Sequence, residues 1–245
     1  MQLSYLGAPF HGWQRQPNAV SVQSTIEDAL TTVLRRPIAI TGAGRTDTGV
    51  NARMMTAHFD VDSPLTDTKA LIRALNQLCG PAIAIERIIQ VHDEAHARFD
   101  ATARTYHYYA IEDKSPFFNT LSWRCGHGLD FDAMNEAASR LLAVSDFTSF
   151  AKLHSDARTN ICHVTEARWI PLDNIPGGWV FVITADRFLR NMVRAVVGTL
   201  VEVGRGKLSL EGFERVIEAR DRCSAGTSMP PQALYLWDIR YPYDL

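Results

Sequence analysis

The sequence has no CxxC pair, no complete GxGxxG loop and no apolar run near the roughly 18 residues that a membrane helix needs. Its four cysteines, at 79, 125, 162 and 223, are too scattered for a zinc ribbon or a thioredoxin-like motif, and read as reduced thiols of a cytoplasmic protein. MQLSYLGAPF lacks the basic and apolar regions of a signal peptide. Lysine is also scarce: it occurs only at 69, 114, 152 and 207, so 21 of the 25 cations are arginine. A net charge of −2 excludes a nucleic-acid binder that works by bulk charge. It leaves room for a local arginine face, whose planar forks suit phosphates and base edges.

What is present is a regular alternation of strands and helices over 245 residues. QLSYLG reads as a strand, and SVQSTIEDALTTVLRR as a helix capped by Ser21 with Val22, Ile26, Ala29, Leu30 and Val33 on one face. PIAITGAG and TAHFDVD follow as strands, then a helix capped by Asp67 and stopped by Gly80, then the strand AIAIERIIQV. That order, βαββαβ, is the ferredoxin-like arrangement. The second half is similar: strands at TYHYYAIED and LSWRCG, a helix after Asp130, a hairpin of NICHVTEARWI with GWVFVITAD, a helix FLRNMVRAVVGTLVEVG, a further helix SLEGFERVIEAR and a last strand LYLWDIRYP. The expectation is an α+β (α/β) fold of two ferredoxin-like halves, residues 1–97 and 98–245. A continuous, mostly antiparallel central sheet flanked by helices would remove the exposed strand edges between them.

Four stretches carry candidate chemistry. GAGRTDTGVNAR, at 42–53, sets Arg45 and Asp47 in a bare loop between two strands. With no helix following, it has no helix N-terminus to hold a phosphate, which argues against a dinucleotide loop. The loop reads either as an ordinary polar turn with an Arg–Asp pair or as a small-residue site that a large substrate can approach. HDEAH, at 92–96, has the i, i+4 histidines of a metal site but falls between strands and lacks a third ligand, so it reads as a structured loop. In RTYHYYA, Tyr106, Tyr108 and Ala110 share one face of a strand. A tyrosine there either stacks a nucleobase or lies in the core with its hydroxyl bonded. FLRNMVR places Arg190 and Arg194 four apart on a helix, facing phosphates, a buried carboxylate or solvent.

Taken together, FHGWQRQ (10–16), SVQSTIEDAL (21–30), AGRTDTGVNA (43–52), FDATARTYHY (99–108), DFTSFA (146–151), MVRAVVGTLVEVGRG (192–206) and LYLWDIRYP (234–242) resemble, in order, the tRNA pseudouridine synthase A family. The resemblance implies a homodimer with a basic cleft, no cofactor, no metal and no membrane, acting on uridines 38, 39 and 40 in the anticodon stem-loop of tRNA. It implies that Asp47 is the catalytic aspartate, that Arg45 places the target nucleotide, that Tyr106 stacks on the uracil and that Arg194 pairs with Asp47. Leu234 or Leu236 would wall the uracil pocket. The chain departs from the family pattern at Leu6, where YDG is usual, at Thr48 and Asn51, where TDAGVHA is usual, and at Ala233, where a glycine often stands.

The chemistry so implied is an isomerisation. The N1–C1′ bond breaks, the base turns, and C5 bonds to C1′, with nothing oxidised. A carboxylate can attack C1′ or stabilise its developing charge, as in glycoside chemistry; attack at C6 of the base is the alternative. A carboxylate removed from water stays charged beside a cation. An everted uridine loses a few kcal/mol of stacking, of which a tyrosine can return roughly 1–3 kcal/mol. Two other readings use the same residues: a non-catalytic RNA-binding protein on the same scaffold, and a nucleoside hydrolase that releases free base.

Overall fold

The computed structural model describes residues 1–152 and 158–245. The chain divides into two compact units, Met1–Thr102 with Tyr235–Leu245, and Ala103–Leu234. Both belong to a mixed α/β class in which helices flank mostly antiparallel strands. The last strand of the chain belongs to the first unit, whereas sequence order alone assigns it to the second half.

The first unit runs β1 (Gln2–Tyr5), α1 (Val22–Leu34), β2 (Thr41–Gly42), β3 (Asn51–His58), α2 (Thr68–Leu78) and β4 (Ile83–Arg87). This is the βαββαβ order that the sequence predicts. β1 lies between β4 and β3, antiparallel to both. β2 pairs with the far end of β3 (Gly42 with Ala57), while the last strand pairs in parallel with its beginning, Asn51 with Tyr235 and Ala52 with Leu236. Three strands differ in bounds from the sequence pattern, β4 ending at Arg87 where AIAIERIIQV reads as strand to residue 91. PIAITGAG yields only the two residues of β2, and β3 starts at Asn51 rather than at the alternating stretch TAHFDVD. Its partners, not its own alternation, extend it backwards.

α1 forms where the apolar period and the cap agree. Ser21 accepts from the Ser24 N–H and Ser24 answers with its own side chain, a reciprocal cap in the position where Ser replaces the usual Glu. Val22, Ile26, Ala29 and Leu30 are buried; each large aliphatic among them contributes about 1.5–3 kcal/mol. Glu27 is buried on the same helix, accepting from Arg15 Nε at 2.6 Å, from Gln23 Nε2 at 3.0 Å and from the Ile40 N–H at 3.1 Å. A buried charge survives where cations and donors surround it, and here it ties the entry to β2 onto the helix.

The second unit holds β5 (Ala103–Ile111), β6 (Trp123–Arg124), α3 (Phe131–Arg140), β7 (Val164–Pro171), β8 (Gly178–Ala185), α4 (Met192–Gly204) and α5 (Leu210–Ala219). β9 (Leu234–Arg240) follows and runs into the first unit. β8 lies between β5 and β7, antiparallel to each, and is buried on both faces over most of its length. Its core is aromatic: Phe131 stacks on Trp179 at 3.8 Å, and Trp169 packs against both Phe131 and Phe181. α4 is buried nearly all round, which suits its apolar sequence. Among the described residues no helix is long and apolar enough to cross a membrane.

Two outcomes follow for stability. Glu27→Ala leaves the Ile40 N–H and the Arg15 guanidinium without this acceptor, and should cost about 1–3 kcal/mol in urea denaturation, with Glu27→Gln costing less. The second concerns His58, whose Nδ1 accepts the Ala97 N–H at 3.0 Å. Burial, and after it the neighbouring His96, hold its pKa below the ordinary histidine value. The unfolded chain therefore takes up this proton first, so stability present above about pH 6.5 is lost as the pH falls through that value. His58→Asn, which keeps an acceptor and does not titrate, should flatten that part of the pH dependence of the urea midpoint.

Candidate active site

The Asp47 loop joins β2 to β3 in the first unit and has almost no regular structure of its own. Its shape comes from a turn at residues 47–50 and from outside supports. The Val50 N–H closes on the Asp47 carbonyl at 3.1 Å, and Gly49 has φ +79°, the position where a type II turn takes glycine. The Ala43 N–H bonds to the Thr56 carbonyl at the β2 end.

The supports come from residues 5–13. Tyr5, buried at the end of β1, sets its hydroxyl 2.8 Å from Thr46 Oγ1, and the Trp13 N–H donates to the Thr46 carbonyl at 3.2 Å. Gly12, with φ +85°, lies so close that a Cβ would stand 2.5 Å from that carbonyl. A Cβ on Gly7 would stand 2.2 Å from the Val50 carbonyl oxygen. Any other residue at either place would expel the loop. Asn51, the first residue of β3, is buried and accepts the Gly7 N–H on Oδ1 at 2.8 Å. Thr46 and Val50 are thus buried while Asp47 between them is half-exposed and Arg45 is exposed. The carboxylate sits on a fixed backbone with water access. The loop is thus anchored from outside, by residues 5–13.

In the second unit, Tyr106 and Tyr108 share a face of β5 but have different surroundings. Tyr108 is fully buried and its hydroxyl donates to the Pro230 carbonyl at 3.2 Å; burial pushes its phenol far above the usual range, against the opposing charge of Arg194. Tyr106 is half-exposed, with Phe188 edge-on at 5.0 Å. One of the pair is therefore the core tyrosine and the other keeps an accessible ring.

Arg194 is half-buried on the first turn of α4, with Nε donating to the Met229 carbonyl at 2.5 Å and its own carbonyl accepting from the Met229 N–H at 3.1 Å. The segment it grips is bolted down elsewhere too, by Asn191 and Arg222 on Ser228 and by Thr199 on the Gly226 N–H. Gly198 allows this approach, since a Cβ there would meet the Thr227 carbonyl at 1.9 Å. Arg190 departs from the sequence expectation. α4 begins at Met192, after Asn191 in the left-handed conformation, so Arg190 is exposed ahead of the helix and does not share a helical face with Arg194.

Leu234 is buried at the start of β9, after the short turn Pro231–Ala233, and Leu236 is buried beside Ala52 in the first unit. HDEAH is a turn: His96 Nδ1 accepts from the Arg98 and Phe99 N–H groups, and the described residues contain no group of three side chains arranged for a metal ion. Burial pushes the thiols of Cys79, Cys125 and Cys162 up to about 11, which keeps them protonated near neutrality. Sequence reasoning missed Tyr5, Gly7, Gly12 and Trp13 as the loop's supports. The one signal for them was the pair of glycines beside aromatics in YLGAPFHGW.

Comparison with known proteins identifies the family of the chain. The model of a family described as tRNA pseudouridine synthase matches residues 2–100 and 137–242. The chain is 54% identical over 243 residues to tRNA pseudouridine synthase A of Bacteroides thetaiotaomicron, covering 99% of this chain and 90% of that one. It is likewise 54% identical to the protein of that name from Parabacteroides distasonis, covering 99% and 95%, and 40% identical to that of Chlorobaculum tepidum, covering 98% and 96%. With the matched regions spanning both units and containing the braced Asp47 loop, the chain belongs to the tRNA pseudouridine synthase family.

Proposed function

We propose that this protein is an isomerase that converts uridine to pseudouridine in tRNA, at positions 38, 39 and 40 of the anticodon stem-loop. The near-full-length likeness to proteins named tRNA pseudouridine synthase A carries the reading. The activity follows from the family, and the local geometry supports the residue roles.

Asp47 is assigned as the catalytic carboxylate, acting at C1′ or, alternatively, at C6 of the base. Its half-exposed position on a backbone held by Tyr5, Trp13 and Gly12 is what such a group needs: it is reachable before substrate binds and already aimed when it does. Tyr106 offers the accessible ring for stacking, with Phe188 fixing its plane from the edge. Arg45 and Arg194 bind substrate, the first as an exposed phosphate contact, the second with its guanidinium already oriented by the Met229 carbonyl. Leu234 contributes an apolar wall to the uracil site. The protein works on this reading as a homodimer in the cytoplasm, with tRNA as its partner.

The test is tritium release from tRNA labelled at C5 of uridine, with the products mapped by position. Asp47→Asn should abolish release while tRNA affinity stays within about threefold, because removing charge from one small side chain leaves the remaining contacts in place. Persistent turnover in that variant would remove Asp47 from the mechanism. Free uracil as product would favour the hydrolase, and binding without release in the unsubstituted protein would favour the RNA-binding module. For Tyr106, replacement by Phe should preserve most of the activity, whereas Tyr106→Ala should lose roughly 5–100-fold, the equivalent of about 1–3 kcal/mol of base stacking.

A further inference from the structure

The end of β1 braces the Asp47 loop on both sides. Before Asp47, Tyr5 holds Thr46 through their paired hydroxyls. After it, the Gly7 N–H is held by Asn51 Oδ1. The regular β1–β3 ladder ends at Tyr5 opposite Ala52, and its register is already shifted between Leu3 and Tyr5. The Gly7 N–H lies beyond that ladder, and the Asn51 side chain adds the connection that the backbone does not. Gly7 in turn presses on the loop itself, with its vacant Cβ position 2.6 Å from Gly49 C and 2.2 Å from the Val50 oxygen. Val50 closes the turn on the Asp47 carbonyl. A continuous mechanical path therefore runs from the Asn51 amide through Gly7 and the Gly49–Val50 peptide to Asp47.

We propose that Asn51 is a positioning residue: its side-chain oxygen fixes Gly7 against the turn and thereby sets where the Asp47 carboxylate stands. The proposal rests on the assignment of Asp47 as the catalytic group. A histidine placed at this position would test the bond directly. Nδ1 of a histidine occupies the same branch position as Oδ1 of an asparagine, and a neutral ring can accept the same N–H. A protonated ring cannot, whereas the asparagine accepts at every pH.

The experiment compares Asn51→Ala, Asn51→Leu and Asn51→His with the unsubstituted protein by C5-tritium release across pH 5.5–8.5. At pH 8, Asn51→Ala and Asn51→Leu should lose about 10–100-fold in kcat, with KM for tRNA changed less than about twofold, because a displaced reacting group costs turnover and not binding. Asn51→His should stay within about threefold of the unsubstituted kcat at pH 8 and then fall as the ring protonates near pH 6.5. That acid limb should be absent from the unsubstituted protein and from Asn51→Ala. An unchanged kcat in Asn51→Ala, or a histidine variant whose pH profile superimposes on that of the unsubstituted protein, overturns the proposal. Where Asn51→Ala does not fold, the histidine profile decides alone. If the unsubstituted protein forms no pseudouridine, the functional reading fails separately. Amide hydrogen exchange then decides the brace: Gly7 and Val50 should exchange at least tenfold faster in Asn51→Leu, and unchanged exchange rejects it.

Discussion

Two glycine backbones, at Gly7 and Gly12, lie against the turn of residues 46–50 at distances that admit no side chain. Almost everything about the Asp47 loop depends on that approach. Within the loop the Val50 N–H closes a turn on the Asp47 carbonyl, and the strand before it is two residues long, too little to hold a shape in water. Pressed against it, residues 5–13 supply the missing partners: the Tyr5 hydroxyl and the Trp13 N–H for Thr46, and the Gly7 N–H for Asn51. Directional bonds reach the loop only because the steric gap has been closed first. A rigid carboxylate is thereby placed on small, open residues that leave room for a bulky substrate.

The second unit uses the same device at a different scale. Gly198 lets the Thr227 backbone lie directly on α4, and Gly226 returns the favour from the other side. Side chains of Asn191, Arg194, Thr199 and Arg222 then fasten the segment by hydrogen bonds. Arg194 is both fastener and functional candidate. Its Nε is committed to the Met229 carbonyl, which orients the rest of the guanidinium. α4 is apolar over most of its circumference and deeply enclosed: the Thr199 hydroxyl turns back onto the Ala195 carbonyl, and Glu202 in the last turn pairs with Arg205 and Lys207.

What the sequence made legible was local. Ser21 and Asp67 cap their helices by bonds to residues three positions away, so pattern and structure coincide. The start of β3 was not legible, because partners distant in sequence draw it into the sheet, Tyr235 for Asn51 and both Tyr5 and Leu236 for Ala52. Nor was the different fate of Tyr106 and Tyr108. Both lie on one face at the same period, and the choice between core and surface is made by Pro230 and Phe188, far along the chain. Arg190 was misplaced because Asn191 turns left-handed where the apolar period implies an unbroken helix. Asp47 stood out through its motif, whereas its brace did not. A tyrosine, two glycines and an asparagine have no recognisable spacing until the chain folds.

The assignment of β9 to the first unit has a consequence for biosynthesis. As the polypeptide leaves the ribosome, the second unit is a single uninterrupted stretch and can complete itself in order of emergence. The first cannot. Asn51 and Ala52, immediately behind the Asp47 loop, wait for Tyr235 and Leu236, which are translated after the whole of the second unit. Such a long-range closure is slow to nucleate. The beginning of β3 therefore gains its parallel neighbour only after the whole chain has been made, and a nascent or truncated chain lacking β9 has the aspartate and its brace from residues 5–13 but not the strand that backs them.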